Sequence, residues 1–129
     1  MGYASNTEPA RGRIGRVTTS IWRAGSGSMV GLHRDHFGRG ATKARTIVQG
    51  DWVVCLLEGV FTVEERLLIS KERFATVRDS RMAVQDEMRE ASVAKIEALT
   101  GRAVVASFSQ IHRDPELALE VFVLEPTLH

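Results

Sequence analysis

Hydrophobic and polar positions change period several times along the 129-residue chain. Residues 14–37 carry apolar positions at Ile14, Val17, Ile21, Met29, Val30, Leu32 and Phe37, interrupted by Gly25-Ser26-Gly27-Ser28. Each glycine costs a helix interior about 1 kcal/mol. A helix is therefore expected over residues 28–37 more firmly than over 14–24, with Gly38 stopping it in the left-handed region. Two β-rich runs follow, Thr42 to Val48 and Trp52 to Leu57, separated by the turn Gln49-Gly50-Asp51. They predict an antiparallel hairpin. The second run, WVVCLL, lacks polar alternation and predicts a strand that is central or covered on both faces.

Thr62-Val63-Glu64-Glu65 has the spacing of a capping box, so a short helix is expected over residues 63–69. Ser70 is placed to cap the next helix, which should run through Thr100 and stop at Gly101. Phe74, Val77, Val84, Met88, Ala91 and Leu99 mark its apolar face at three- and four-residue spacing. Such a helix is about 40 Å long, so part of it is expected against a second subunit. The alternative is a break near Asp79-Ser80-Arg81. Two strands close the chain, Arg102 to Ser109 and Leu117 to Glu125, around a turn containing Asp114-Pro115. In the last strand Glu120, Phe122 and Leu124 share one face, and Leu119, Val121 and Val123 the other.

The order helix, Gly-Arg, strand, turn, strand, Leu-Glu thus occurs twice, at Gly38 to Glu58 and Gly101 to Glu125. Two such units predict an α+β fold of two layers. A four-stranded antiparallel sheet from two hairpins would carry helices on one face, in the order α-β-β-α-α-β-β. The open side of that sheet needs cover, and a homodimer supplies it. Residues 1–27 are expected to form a basic, partly flexible arm, with tail-like composition to about residue 13. Residues 28–129 are expected to be a single domain.

Composition narrows the class. Hydrophobic residues make up 43% and charged residues 26% of the chain, which fits one globular domain rather than a disordered segment. Cys55 is the single cysteine, so no disulfide framework is available, and inside WVVCLL it is expected to be a buried apolar residue. The longest apolar run, six residues, is far below the roughly 20 needed to span a bilayer, and no signal-like segment opens the chain. A cytoplasmic protein, at most peripheral to a membrane, is expected. The net charge of +1 conceals an asymmetry. Residues 1–45 hold eight Arg/Lys against Glu8 and Asp35, a net of +6. Residues 46–129 hold nine against fourteen Asp/Glu, a net of −5. Nucleic acid ranks last among partners for the basic segment, because no aromatic residues interleave with its arginines.

Three segments could carry chemistry. His33 and His36, at i and i+3, have a metal-compatible spacing, but the nearest further ligands are Asp35 and the distant His112, so exposed helix histidines compete with that reading and no metal site is assigned. Gly38 to Arg45 combines two glycines with Arg39, Lys43 and Arg45. Arg39, Gly40, Thr42, Lys43 and Arg45 are therefore candidates for holding a small anion. The order helix, loop, strand departs from a phosphate-binding loop and sets the anion at the unfavourable end of the helix dipole. The competing reading is a glycine helix stop before a basic edge strand. His112 with Asp114 could form an acid–base pair, or simply an Asx-type turn with a surface histidine. Glu58, at the end of a buried strand, is a further candidate. No nucleophile elbow or paired-carboxylate arrangement stands out, so no catalytic residue and no cofactor is assigned.

Several spaced blocks together resemble the MpsC-like family of small bacterial proteins, over residues 28–126. They are Gly38-Arg39-Gly40 with Thr42-Lys43-Ala44, Leu57-Glu58-Gly59-Val60, Leu99-Thr100-Gly101-Arg102, His112 with Asp114-Pro115, and Glu120-Val121-Phe122-Val123-Leu124. Ala41 and Arg113 depart from the family's usual residues. The resemblance implies a component, itself without a membrane span, of a sodium-translocating, membrane-potential-generating system. On that basis a non-catalytic accessory protein is expected, dimeric and in contact with a membrane-protein partner. A sensor of small anions or metabolites using Gly38 to Arg45 is the first alternative. A small metal- or histidine-dependent enzyme is the second.

Overall fold

The computed structural model describes residues 7–14, 17–38 and 40–126. In chain order these form β1 (Thr7–Ile14), β2 (Val17–Trp22), α1 (Arg23–Phe37), β3 (Lys43–Gln49), β4 (Trp52–Glu58), α2 (Val63–Ser70), α3 (Phe74–Thr100), β5 (Val104–His112) and β6 (Leu117–Leu124). The fold is α+β, and from α1 onward it follows the expected order α-β-β-α-α-β-β. The two expected hairpins, β3–β4 and β5–β6, lie side by side and join through antiparallel β4 and β6.

A third hairpin, β1–β2, extends the sheet beyond β3, giving the order β1-β2-β3-β4-β6-β5. It falls within the expected arm, and β1 includes residues assigned to the tail on composition. Backbone pairing to a neighbouring strand supplies that order, and it leaves little trace in a Gly/Arg-rich sequence. Helix α1 likewise begins at Arg23, five residues before the expected start, and takes in the Gly-Ser stretch. There Gly25 is buried, and Ser26 donates a hydrogen bond of 2.9 Å to Thr46 of β3. Tertiary contact thus offsets the local cost of glycine.

Local signals set the other boundaries. Both long helices stop at glycines with positive φ, Gly38 at 77° and Gly101 at 68°. The capping box of α2 is complete. Glu65 N–H donates to the Thr62 hydroxyl at 3.1 Å, and Thr62 N–H donates to the Glu65 carboxylate at 2.8 Å. Thr62→Ala is expected to cost about 1 kcal/mol, read as a lower urea midpoint with an unchanged slope. Ser70 does not cap α3. Its hydroxyl donates to the Leu67 carbonyl at 2.7 Å, inside the last turn of α2. Helix α3 is continuous for 27 residues, without a break at Asp79-Ser80-Arg81.

The strand register sorts the sheet into two faces. On the inner face, rows running across β3, β4, β6 and β5 read Ala44–Leu57–Ala118–Ile111, then Thr46–Cys55–Glu120–Ser109, then Val48–Val53–Phe122–Ser107. This face packs against α1 and α3, and the core includes Met29, Leu32, Phe61, Val77, Met88 and Ile96. Glu120 therefore lies with Phe122 and Leu124 on the buried side, as the alternation of β6 predicts. The buried face of α3 is Val77, Arg81, Gln85, Met88, Ser92 and Ile96. It is rotated from the expected apolar stripe: Ala91 is exposed, and three polar residues take core positions.

The outer rows in the same strand order read Lys43–Glu58–Leu117–His112, Arg45–Leu56–Leu119–Gln110, Ile47–Val54–Val121–Phe108 and Gln49–Trp52–Val123–Ala106. Every residue in these rows is exposed or half-buried.

Candidate functional site

One inner row is polar across all four strands, while the rows on either side of it are mostly apolar. Its centre is Glu120, 2% exposed. Strand β6 points it at the helices, β5 brings Ser109 alongside, and α1 lowers His33 onto it from above. The Ser109 hydroxyl donates to Glu120 Oε1 at 2.6 Å. His33 Nε2 lies 3.3 Å from Glu120 Oε2. A carboxylate only accepts, so Nε2 carries the proton in that contact. His33 is fully buried, and its ring stacks at a tilt on Phe37, with centroids 5.4 Å apart.

The other half of the row is a relay of weaker groups. Ser26 donates to Thr46, and the Thr46 hydroxyl sits beside the Cys55 thiol. Burial pushes the thiol up to about 12, and the charge of Glu120 adds to that while Thr46 opposes it. A neutral, enclosed thiol is a poor nucleophile. Cys55 is accordingly expected to resist thiol-specific labelling at pH 8 in the folded protein and to react only at the rate of unfolding, as a denaturant series with mass detection would show.

A second buried cluster adjoins the first through Phe37. The Arg81 guanidinium lies 4.0 Å from the Phe37 ring centroid and 5.4 Å from that of Phe61. It donates through Nε and Nη2 to both oxygens of Glu65, each at 2.7 Å, and through Nη2 to the Val60 carbonyl at 2.7 Å. Burial works to raise the Glu65 pKa, but the hydrogen bonds from Arg81 and from the Thr62 backbone, with the charge of Arg81, hold it below its ordinary value. At the far end of α3, Lys95 lines a pocket with Gly27, Gly31 and Asp35 of α1. The two helices therefore run antiparallel, with Arg81 at the Phe37 end of α1 and Lys95 toward its start. Among the described residues, His33 Nδ1, Arg81 Nη1 and Gln85 Nε2 are buried without a hydrogen-bond partner.

Chemically, the Glu120 row contains serine, histidine, carboxylate and thiol, but wired for cohesion. The carboxylate sits between Ser109 and His33, so the hydroxyl proton goes to Glu120 and not to the imidazole. A nucleophilic serine needs the reverse order.

The residues singled out from the sequence lie elsewhere. Arg39 is outside the described residues. Gly40 packs on α1, where a Cβ would stand 2.9 Å from a Val30 methyl group. Thr42 donates to the Glu58 carbonyl from its N–H at 2.9 Å and its hydroxyl at 3.2 Å. Gly59, with φ of 64°, leaves room for that threonine, since a Cβ there would clash with its hydroxyl. Lys43 and Arg45 project from the outer face of β3, with Glu58 facing Lys43. His112 ends β5, and its Nδ1 donates to the Pro115 carbonyl at 2.9 Å rather than to Asp114, which is exposed in the turn. Lys43, Glu58 and His112 do share a setting, since they belong to one outer row. His33 and His36 do not converge: the first faces the sheet, and the second is exposed, with Nδ1 donating to the Leu32 carbonyl at 2.9 Å. The described residues contain no group of three His, Cys, Asp or Glu side chains able to hold a metal.

Sequence reasoning missed the His33–Glu120 and Arg81–Glu65 pairs. The available signal for the first was a glutamate alternating with Phe122 and Leu124. For the second it was an arginine four residues after Val77.

Shallow grooves mark the outer face. One of about 380 Å³ is lined by Ile47, Gln49, Trp52 and Val54. Another of about 330 Å³ includes Leu56, His112 and Leu119. Among the described residues, no helix is long and apolar enough to cross a membrane. No curated protein and no solved structure matches the chain. The family model described as Na+-translocating membrane potential-generating system (MpsC) matches residues 20–126, most of the chain, which therefore belongs to that family.

Proposed function

We propose that the chain is a non-catalytic accessory component of the membrane-potential-generating system that its family is named for. It acts through protein–protein contacts, as a dimer, and meets the membrane system peripherally. The observation that carries this reading is the outer sheet face. Its two rows farthest from Lys43 are largely apolar, Trp52 is 57% and Phe108 59% exposed, and no described helix covers them. A patch of this kind marks an interaction surface more often than a bare one. The buried charged side chains meanwhile are paired inside the fold, Glu120 with His33 and Arg81 with Glu65, rather than turned toward solvent.

Tagged protein expressed in its own cells should co-purify with integral membrane proteins from detergent extracts. Val54→Lys, which sets a charge in the middle of the face, should abolish that recovery. Recovery unaffected by Val54→Lys, or no membrane protein recovered with the unaltered chain, would refute the reading.

A further inference from the structure

We propose that the outer sheet face is occupied by the same face of a second copy, with a two-fold axis parallel to the strands and passing between β4 and β6. The inference rests on the docking reading above and adds the identity and geometry of one partner.

The argument is the pattern of charge across the face. A two-fold axis in the interface and along the strands keeps each transverse row over itself while exchanging β4 with β6 and β3 with β5. Val54 then meets Val121 of the other copy, and Ile47 meets Phe108. The polar end row, which holds Lys43, Glu58 and His112, meets its own equivalent, so charges of both signs stay together at one rim. Arg45 faces Gln110, a neutral side chain that accepts its hydrogen bonds. A two-fold axis at right angles to the strands does the opposite. It lays the row of Lys43, Glu58 and His112 over the row of Trp52 and Val123 in the partner, and so sets charged and polar side chains on its most apolar rows, a costly arrangement.

The face also suits a protein better than a lipid surface. Surface-bound elements surround their apolar side with Lys and Arg. Here Arg45 and Lys43 are the described cations of these rows, and both stand at one end. Two sheets stacked about 10 Å apart, with their strands nearly aligned, would cover Trp52 and Phe108 in the usual way for β-sandwich layers.

The experiment is cross-linking of single-cysteine variants, with Cys55 serving as the unlabelled background. Arg45→Cys and Gln110→Cys are prepared separately and treated with a short bis-maleimide, alone and mixed. The mixture should give a covalent dimer in high yield, and each variant alone only the trace seen with the unaltered chain. Sedimentation velocity at tens of micromolar should show a dimer for the unaltered chain and a monomer for Val54→Lys, with circular dichroism confirming that this variant is folded. Self-cross-linking of Arg45→Cys overturns the axis. A monomeric unaltered chain, or a dimer that survives Val54→Lys, overturns the inference, as does a monomer that floats with phosphatidylglycerol vesicles. A monomeric unaltered chain that recovers membrane proteins, with recovery lost in Val54→Lys, overturns this inference and the dimer but leaves the peripheral accessory role standing. A dimer that recovers none does the reverse.

Discussion

Replacing Arg81 by alanine should lower the stability of the fold by about 3–5 kcal/mol, the cost of breaking a buried ion pair from one side. The side chain is fully buried and is the largest buried one among the described residues. It holds Glu65 through two hydrogen bonds and Val60 through a third. Removing it leaves the Glu65 carboxylate without its cation, the Val60 carbonyl without a donor, and a void beneath the rings of Phe37 and Phe61. Lysine should rescue little, because a point charge on a flexible stem cannot reproduce the paired donors or the stacking. The double variant Arg81→Met with Glu65→Gln should recover much of the loss, since it removes both charges and keeps the volume. Urea denaturation of the four proteins checks this, and a loss below about 1 kcal/mol for Arg81→Ala would mean that the pair behaves as a surface one.

The same pair predicts an acid limb. Glu65 has a lowered pKa in the folded chain, so it binds protons less readily there than in the unfolded chain. Its contribution is complete above the ordinary carboxylate value of 4.5 and is lost as pH falls through the lower folded value. Unaltered protein should lose stability over that interval. Arg81→Ala, which lacks the main cause of the shift, should show a shallower slope there.

Much of this architecture is legible in the residues, for reasons of period and local chemistry. WVVCLL and LALEVFVL could only be strands; Thr62-Val63-Glu64-Glu65 satisfied its own backbone donors; Gly38 and Gly101 stood where a left-handed stop was needed. The N-terminal hairpin was not legible, because its order comes from pairing to β3 rather than from its own composition. The early start of α1 was hidden for a similar reason, since Ser26 and Gly25 are helical only where they press against the sheet. The polar interior was illegible for a different reason. Arg81, Gln85 and Ser92 look solvated to any rule that equates charge or polarity with surface. Their burial depends on partners 16 or more residues away, as Arg81 with Glu65 and His33 with Glu120 show. Of the candidate residues chosen for their chemistry, Thr42, Lys43, Arg45, His112 and Asp114 are exposed. Three of the candidates, Lys43, Glu58 and His112, fall on one outer row, a grouping that follows from strand register and from nothing local to any of them.

The Glu120 row is the second place where a single change should have a large effect. Glu120→Ala removes the acceptor of both the Ser109 hydroxyl and His33 Nε2. His33 has no partner for Nδ1 among the described residues, so the alanine variant leaves a fully buried imidazole without a hydrogen bond on either nitrogen. The expected loss is about 3–5 kcal/mol, from two buried groups left without their hydrogen bonds and from the void where the side chain stood. Glu120→Gln should cost less, about 1–2 kcal/mol. The amide oxygen still accepts from Ser109, and the amide nitrogen can donate to Nε2 once the imidazole carries its proton on Nδ1. The two substitutions thus separate loss of the bonds from loss of the charge. If the pair is a unit, His33→Ala in the Glu120→Ala background should add far less than it does alone, because neither partner then has anything left to lose. Strict additivity of the two in urea denaturation would mean that helix α1 and strand β6 are held by their apolar neighbours, with the polar row a passenger between them.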